Sequence, residues 1–170
     1  RSVQASDRRL VQSYILSMPY RNCDLSFANI FVWSFLYDTR IAEYGGSLFV
    51  KYKFHSKPFY MMPFGRCDLK TAIEKAIEDS TGDDLRFCMQ GLSPKMKADI
   101  EEAMPETFSF TSNRDYSDYI YLRDDLVGLS GKKYQPKRNH IHQFIRSYPQ
   151  YRFVPITTDI IPQCMELESY

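Results

Sequence analysis

Ile41-Ala42-Glu43-Tyr44-Gly45-Gly46-Ser47-Leu48-Phe49-Val50-Lys51-Tyr52-Lys53-Phe54 is the stretch on which the fold turns. Two β-prone segments, Ile41 to Tyr44 and Ser47 to Phe54, flank a pair of glycines. Those glycines supply the positive φ angles of a tight turn, so the stretch predicts a β-hairpin. A third strand, Phe59 to Phe64, follows Pro58 and extends the hairpin to a meander.

Upstream, the pattern changes from period 2 to helical spacing. Ser6 and Asp7 offer a cap, Leu10, Val11, Tyr14, Ile15 and Met18 recur on one face, and Pro19 stops the run. After the polar link Arg21 to Leu25, Ser26 caps a second helix through Phe27, Ile30, Phe31, Trp33, Phe35, Leu36 and Tyr37. Its polar face is so narrow that burial on most sides is expected.

Downstream, Asp68 caps a helix with Leu69, Ile73, Ala76 and Ile77 inward and Lys70, Glu74, Lys75 and Glu78 outward, ending near Gly82. Leu85 to Met89 reads as a short strand. Ser93-Pro94 opens a helix with the stripe Met96, Ile100, Ala103 and Met104, closed by Pro105. Thr107 to Thr111 and Asp118 to Leu122 read as two more strands. Gly128 to Gly131 marks a boundary, followed by a basic helix from Gln135 to Ser147, a strand Tyr151 to Ile156 and a helix opening at Thr158-Asp159. Ser6-Asp7 echoes Thr158-Asp159, as an internal duplication would.

Composition excludes several classes. The apolar share is 44%, enough for a packed interior, and the net charge of +1 gives no general attraction to nucleic acid or membrane. Cys23, Cys67, Cys88 and Cys164 lie far apart without CxxC or Cys/His spacing, so they read as reduced, partly buried thiols and no metal site is expected. The strongest apolar run, Ile30 to Tyr37, is far short of the ~18 residues that span a bilayer. With no signal-peptide pattern, a cytoplasmic setting is expected, and a first residue Arg1 rather than Met suggests an excerpt of a longer chain.

The element order up to Leu122 resembles the GNAT acyltransferase fold. More specific are Arg21-Asn22-Cys23-Asp24-Leu25-Ser26-Phe27, Trp33-Ser34-Phe35-Leu36-Tyr37, Tyr119-Ile120-Tyr121-Leu122, and Gly131-Lys132-Lys133 with Lys137-Arg138-Asn139-His140-Ile141 and Phe144. These strings resemble a bacterial family of uncharacterised proteins carrying the phosphatidylglycerol lysyltransferase C-terminal domain. The resemblance implies an α+β, GNAT-like mixed sheet flanked by helices, the first lobe of a tandem pair. Residues 1–127 would form that lobe, 128–149 a basic linker helix and 150–170 the start of the second lobe. Relatives with known chemistry transfer an aminoacyl group from aminoacyl-tRNA to a lipid headgroup or a peptidoglycan precursor, so tRNA and an anionic lipid headgroup are the implied partners. Aminoacyl-tRNA or acyl-CoA would be a co-substrate of the intact protein.

One departure matters. Where acetyl-CoA-dependent GNAT enzymes place a glycine-rich turn against the pyrophosphate, this chain reads Pro63-Phe64-Gly65-Arg66-Cys67-Asp68. An acid as the cap repels phosphate, so no cofactor is expected in this lobe.

Lys132, Lys133, Lys137, Arg138, Asn139 and His140 form the candidate anion site for tRNA, lipid or nucleotide phosphate. Pro136 places Lys137 and Arg138 in a first helical turn, where cations oppose the macrodipole at about 0.3 to 1 kcal/mol each and a bound anion would remove the conflict. The competing reading is a solvated linker helix docked through Tyr134, Ile141, Phe144 and Ile145. His140 has no partner acid or nucleophile at a recognisable spacing, and the catalytic residues stay unknown. Arg21, Asn22 and Asp24 read as a capping and turn network, His55 as exposed, Tyr116, Tyr119 and Tyr121 as one core face of a strand, and Asp83-Asp84 as a loop. Three functions compete: an aminoacyl- or acyltransferase, a non-catalytic GNAT-like scaffolding lobe, and an acetyl-CoA enzyme working through the second lobe.

Overall fold

In the computed structural model, which describes residues 1–81 and 86–168, Gly45 and Gly46 adopt φ of 57° and 77°. They close the expected hairpin between β1 (Arg40–Tyr44) and β2 (Ser47–Phe54). β3 (Lys57–Tyr60) and β4 (Phe64–Gly65) both pair antiparallel with β2. Because Lys51 pairs with Tyr60 and Leu48 with Phe64, Phe49 and Val50 face three residues, Met61, Met62 and Pro63. This is a bulge, and it splits the strand expected over 59–64 at a proline that has no N–H to give the ladder.

The packing divides into two units, Arg1–Asp118 and Tyr119–Tyr170. The sheet belongs to the first. Along β2 the side chains alternate, so Leu48, Val50, Tyr52 and Phe54 share one face. On that face Tyr14 of α1 (Arg8–Ser17) donates to Glu43, the ladder partner of Leu48. Ser26 caps α2 (Phe27–Val32) by accepting from Asn29 N, and α3 (Ser34–Tyr37) follows, with the Tyr37 ring against Tyr52 and Phe54. On the opposite face Lys51 and Tyr60, paired in the ladder, both reach Asp79 of α4 (Leu69–Ser80). α5 (Pro94–Ala103), capped by Ser93, packs against α4. Helices therefore flank both faces of a small antiparallel sheet, and the chain is α+β. The core between these layers includes Val11, Ile30, Leu48, Val50, Phe64, Ile73, Met96 and Ile100. The outward residues of α4 form the expected pairs, Lys70 with Glu74 and Lys75 with Glu78.

Several expectations are corrected. The single buried helix over 27–37 is broken at Trp33, and Val32, Phe35 and Leu36 are exposed, Phe35 by 84%. Asp7 does not cap α1 with its side chain. Its carboxylate turns back to the Arg1 guanidinium and to Gln4 N. Of the strand expected over 85–89, Leu85 lies outside the described residues and the rest makes one parallel bridge, Met89 to Tyr60, which is all the mixed character the described sheet has. Residues 107–111 and 118–122 are irregular, and Tyr116, Tyr119 and Tyr121 are exposed rather than core. β-propensity there finds no neighbouring strand to satisfy its backbone groups. Gly82 and Asp83-Asp84 lie outside the described residues.

The second unit contains α6 (Arg123–Gly128), a 3-10 turn over Lys132–Tyr134, α7 (Gln135–Ser147) and α8 (Ile161–Glu168). α7 has the bounds its sequence predicts. The strand expected over 151–156 is irregular, and the last helix starts after Thr158-Asp159, with Thr157 O accepting from Ile160 N and Ile161 N.

Candidate functional site

The first unit carries a cleft of about 290 Å³ at the end of the β2 side-chain row, between that row and α2–α3. Leu48 and Val50 are fully buried, and the same row continues as Tyr52 and Phe54, which form one wall. Trp33 and Tyr37 form the other, with Met61, Met62 and Met96 at the base. The rings cluster about Tyr37, whose centroid lies 6.2 Å from Trp33, 6.4 Å from Tyr52 and 6.2 Å from Phe54. Mostly apolar walls with a few polar groups are the usual make-up of a small-molecule site.

Two loops bring Asp24 and Gln90 to the cleft. Tyr52 donates its hydroxyl to Gln90 Oε1 at 3.1 Å, and burial pushes its pKa up, with Asp24 adding to the shift. Asp24 reaches the rim because the link between α1 and α2 is folded by its own side chains. Asn22 Oδ1 accepts from Leu25 N at 2.9 Å, Arg21 donates to the carbonyls of Met18 and Tyr20, and Asp24 Oδ1 accepts from Asn29 Nδ2 at 2.9 Å. That is the turn network expected of Arg21, Asn22 and Asp24. What sequence reasoning missed is that the same network sets a carboxylate at the mouth of an aromatic cleft. The period-2 row from Leu48 to Phe54 was the available signal.

Next door, the Cys23 thiol donates to Asp118 Oδ1 at 3.3 Å, and the Asp118 and Asp24 carboxylates push its pKa up. A thiol held protonated is a poor nucleophile. Cys23 and Cys88 are exposed rather than partly buried. Among the described residues no group of three or more His, Cys, Asp or Glu is placed to hold a metal ion.

At the start of α4, Asp68 Oδ2 accepts from Thr71 N and from Thr71 Oγ1, both at 3.0 Å, and the Thr71 backbone N–H holds its pKa below the ordinary carboxylate range. The donor that a pyrophosphate would use is thus taken by a negative charge. Gly65 serves the sheet instead: a Cβ there would meet the Gly46 carbonyl and lie 2.7 Å from Ser47 Oγ.

In the second unit, Lys137 and Arg138 fall in the first turn of α7, as Pro136 predicts. The members of the basic string have different partners. Arg138 turns back and donates to the carbonyls of Leu129 and Gly131. Lys137 Nζ lies 5.2 Å from the Tyr121 ring centroid and Lys133 Nζ 4.9 Å from that of Tyr134, whose hydroxyl donates to Asp125. Lys132, Asn139 and His140 are exposed, and Asn139 shares a shallow surface depression with His142 and Arg146. His55 is exposed in the turn after β2.

Residues 17–169 match the family model described as phosphatidylglycerol lysyltransferase, C-terminal. This chain belongs to that family. A crystal structure of a conserved protein of unknown function from Bacteroides thetaiotaomicron, 45% identical, superposes with a TM-score of 0.86 over 99% of this chain and 57% of that one. The chain therefore spans 57% of that relative's length. No curated protein matches it. No helix among the described residues is long and apolar enough to cross a membrane.

Proposed function

We propose that the intact protein is an acyl- or aminoacyltransferase in which residues 1–127 form a first GNAT-like lobe, 128–149 a basic linker helix and 150–170 the opening of a second lobe. The observation that carries this reading is family membership over residues 17–169, together with an aromatic cleft of the size of a small substrate in the first unit. Exposed apolar side chains in the second unit, among them Ile120 at 91% and Phe153 at 95%, are compatible with further chain packing there.

The chemistry would be attack by an amine or hydroxyl on an activated ester, with positioning rather than a covalent enzyme intermediate lowering the barrier. The raised pKa of Cys23 fits that choice. Lys132, Lys133, Asn139 and His140 are the residues offered to phosphate of an aminoacyl-tRNA donor or an anionic lipid headgroup, with Lys137 beside Tyr121. Arg138 holds the turn that presents them. Asp68 favours a second reading for this lobe alone, that it binds and positions without carrying a CoA pyrophosphate, any acyl-CoA being held by the second lobe.

The test is transfer by the full-length protein, supplied separately with aminoacyl-tRNA and acetyl-CoA and a panel of amine and hydroxyl acceptors. Turnover with either donor supports the proposal. Absence of transfer from both, with the protein folded, leaves the scaffolding lobe in its place.

A further inference from the structure

We propose that the first-unit cleft binds a primary ammonium carried on an apolar or aromatic body, the ammonium pairing with Asp24 and the body lying between Trp33, Tyr37 and Tyr52. This names the acceptor class for the transferase proposed above and rests on that reading: the bound ammonium would first give a proton to solvent, and the free amine would then attack the ester carbonyl, forming the amide as the donor's alcohol leaves with the second proton, although binding itself can be measured without turnover.

Three observations converge. Asp24 is the one acidic or basic side chain among the described lining residues, so the charge at the mouth is negative. Among the described residues Asn29 Nδ2 donates to its Oδ1 at 2.9 Å, and the Cys23 sulfur, whose hydrogen goes to Asp118, lies 3.8 Å from the same oxygen. Oδ2 is left to meet a ligand. Arg21, on the same link as Asp24, is committed to the carbonyls of Met18 and Tyr20, and Arg40 and Lys53, next in sequence to the lining residues Thr39 and Phe54, pair with Asp38.

The walls select for the same charge. Tryptophan and tyrosine faces are negative, and a cation within about 6 Å of such a ring is attracted to it. Three rings set 6.2 to 6.4 Å from Tyr37 offer several such faces in one cleft. A carboxylate ligand would meet those faces and Asp24 together and be repelled by both. A neutral ligand would gain the apolar contact alone. At about 290 Å³ the cleft suits one ring or a short chain with its amine, not a nucleotide.

The experiment is calorimetric titration of the protein with phenethylamine, phenethyl alcohol and phenylacetate at neutral pH, with Trp33 emission locating the ligand and Trp33→Phe as the optical blank. Phenethylamine should bind at least about tenfold more tightly than either isostere, and Asp24→Asn, which keeps the Asn29 bond and the side-chain shape, should erase that preference. Asp24→Glu should restore part of it. Equal affinity for the three ligands, no saturable binding of the amine, or an amine preference that survives in Asp24→Asn would overturn the assignment. Amine binding without transfer from any donor would remove the transferase reading and leave this one standing. Transfer to acceptors without amine binding would do the reverse.

Discussion

The Tyr60 hydroxyl donates to Asp79 Oδ2 at 2.6 Å, tying β3 to α4, and Lys51 of β2 reaches the same oxygen at 3.1 Å. Burial pushes the Tyr60 pKa up to about 12, with Asp79 adding to the rise, while the Tyr60 bond holds Asp79 below the ordinary carboxylate range. A raised folded pKa means that the native state keeps its proton longer than the unfolded chain. The stabilisation is therefore complete below about pH 10, the unfolded tyrosine value, and is lost as pH rises through about 12. Urea midpoints measured from pH 9 to 12 should fall, and Tyr60→Phe should flatten part of that fall. At pH 7 the same variant should lose about 1.5 to 3 kcal/mol, the usual worth of a hydrogen bond to a charged group.

The second prediction concerns α2 and α3, where sequence and structure part. Ile30 and Phe35 look equivalent in an apolar run, yet Ile30 is buried and Phe35 is 84% exposed because the helix breaks at Trp33. Ile30→Ala should cost about 2 to 5 kcal/mol and Phe35→Ser stay within ~0.5 kcal/mol. Chemical denaturation of the two variants checks this, and a large loss in Phe35→Ser would return the run to the core.

That difference indicates what was legible. Caps and glycine turns act locally, so Ser26, Asp68, Ser93 and the Gly45-Gly46 hairpin could be read from neighbours in the chain. The bounds of α7 followed from Pro136 and a helical stripe for the same reason. Strand formation depends on a partner far along the chain, which is why residues 107–111 and 151–156 had the composition of strands and form none. The cleft was hidden for that reason too: it joins Asp24 to Tyr52 and Gln90, and no spacing rule connects them.

Gly65 gives a third prediction. Its φ is +154°, and a side chain there would press on the Gly46 carbonyl and Ser47 of the neighbouring strand. Gly65→Ala should destabilise by about 1 to 3 kcal/mol through forced backbone movement, whereas Gly91→Ala, where a Cβ meets open space, should cost less despite its positive φ. Parallel thermal melts of the two variants compare them directly. Equal losses would mean that crowding at β4 is not what requires glycine.

The basic string supplies the last prediction, because the structure separates two jobs that sequence alone runs together. Arg138 holds the carbonyls of Leu129 and Gly131, so Arg138→Ala should act first on stability, by about 1 kcal/mol, through the missing bonds to the turn before α7. Lys132 is exposed, and Lys133 beside Tyr134 is exposed as well, so neither anchors the fold in that way. If they meet phosphate, replacing both by Ala should leave the melting temperature nearly unchanged and weaken tRNA binding. The slope of log K against log salt should then shrink by roughly 0.7 to 0.9 for each phosphate that is no longer neutralised. Titration of tRNA at salt concentrations from about 50 to 200 mM measures that slope. An unchanged slope would confine α7 to docking, and a slope that changes only in Arg138→Ala would move the anion site onto the residue that the geometry assigns to the turn.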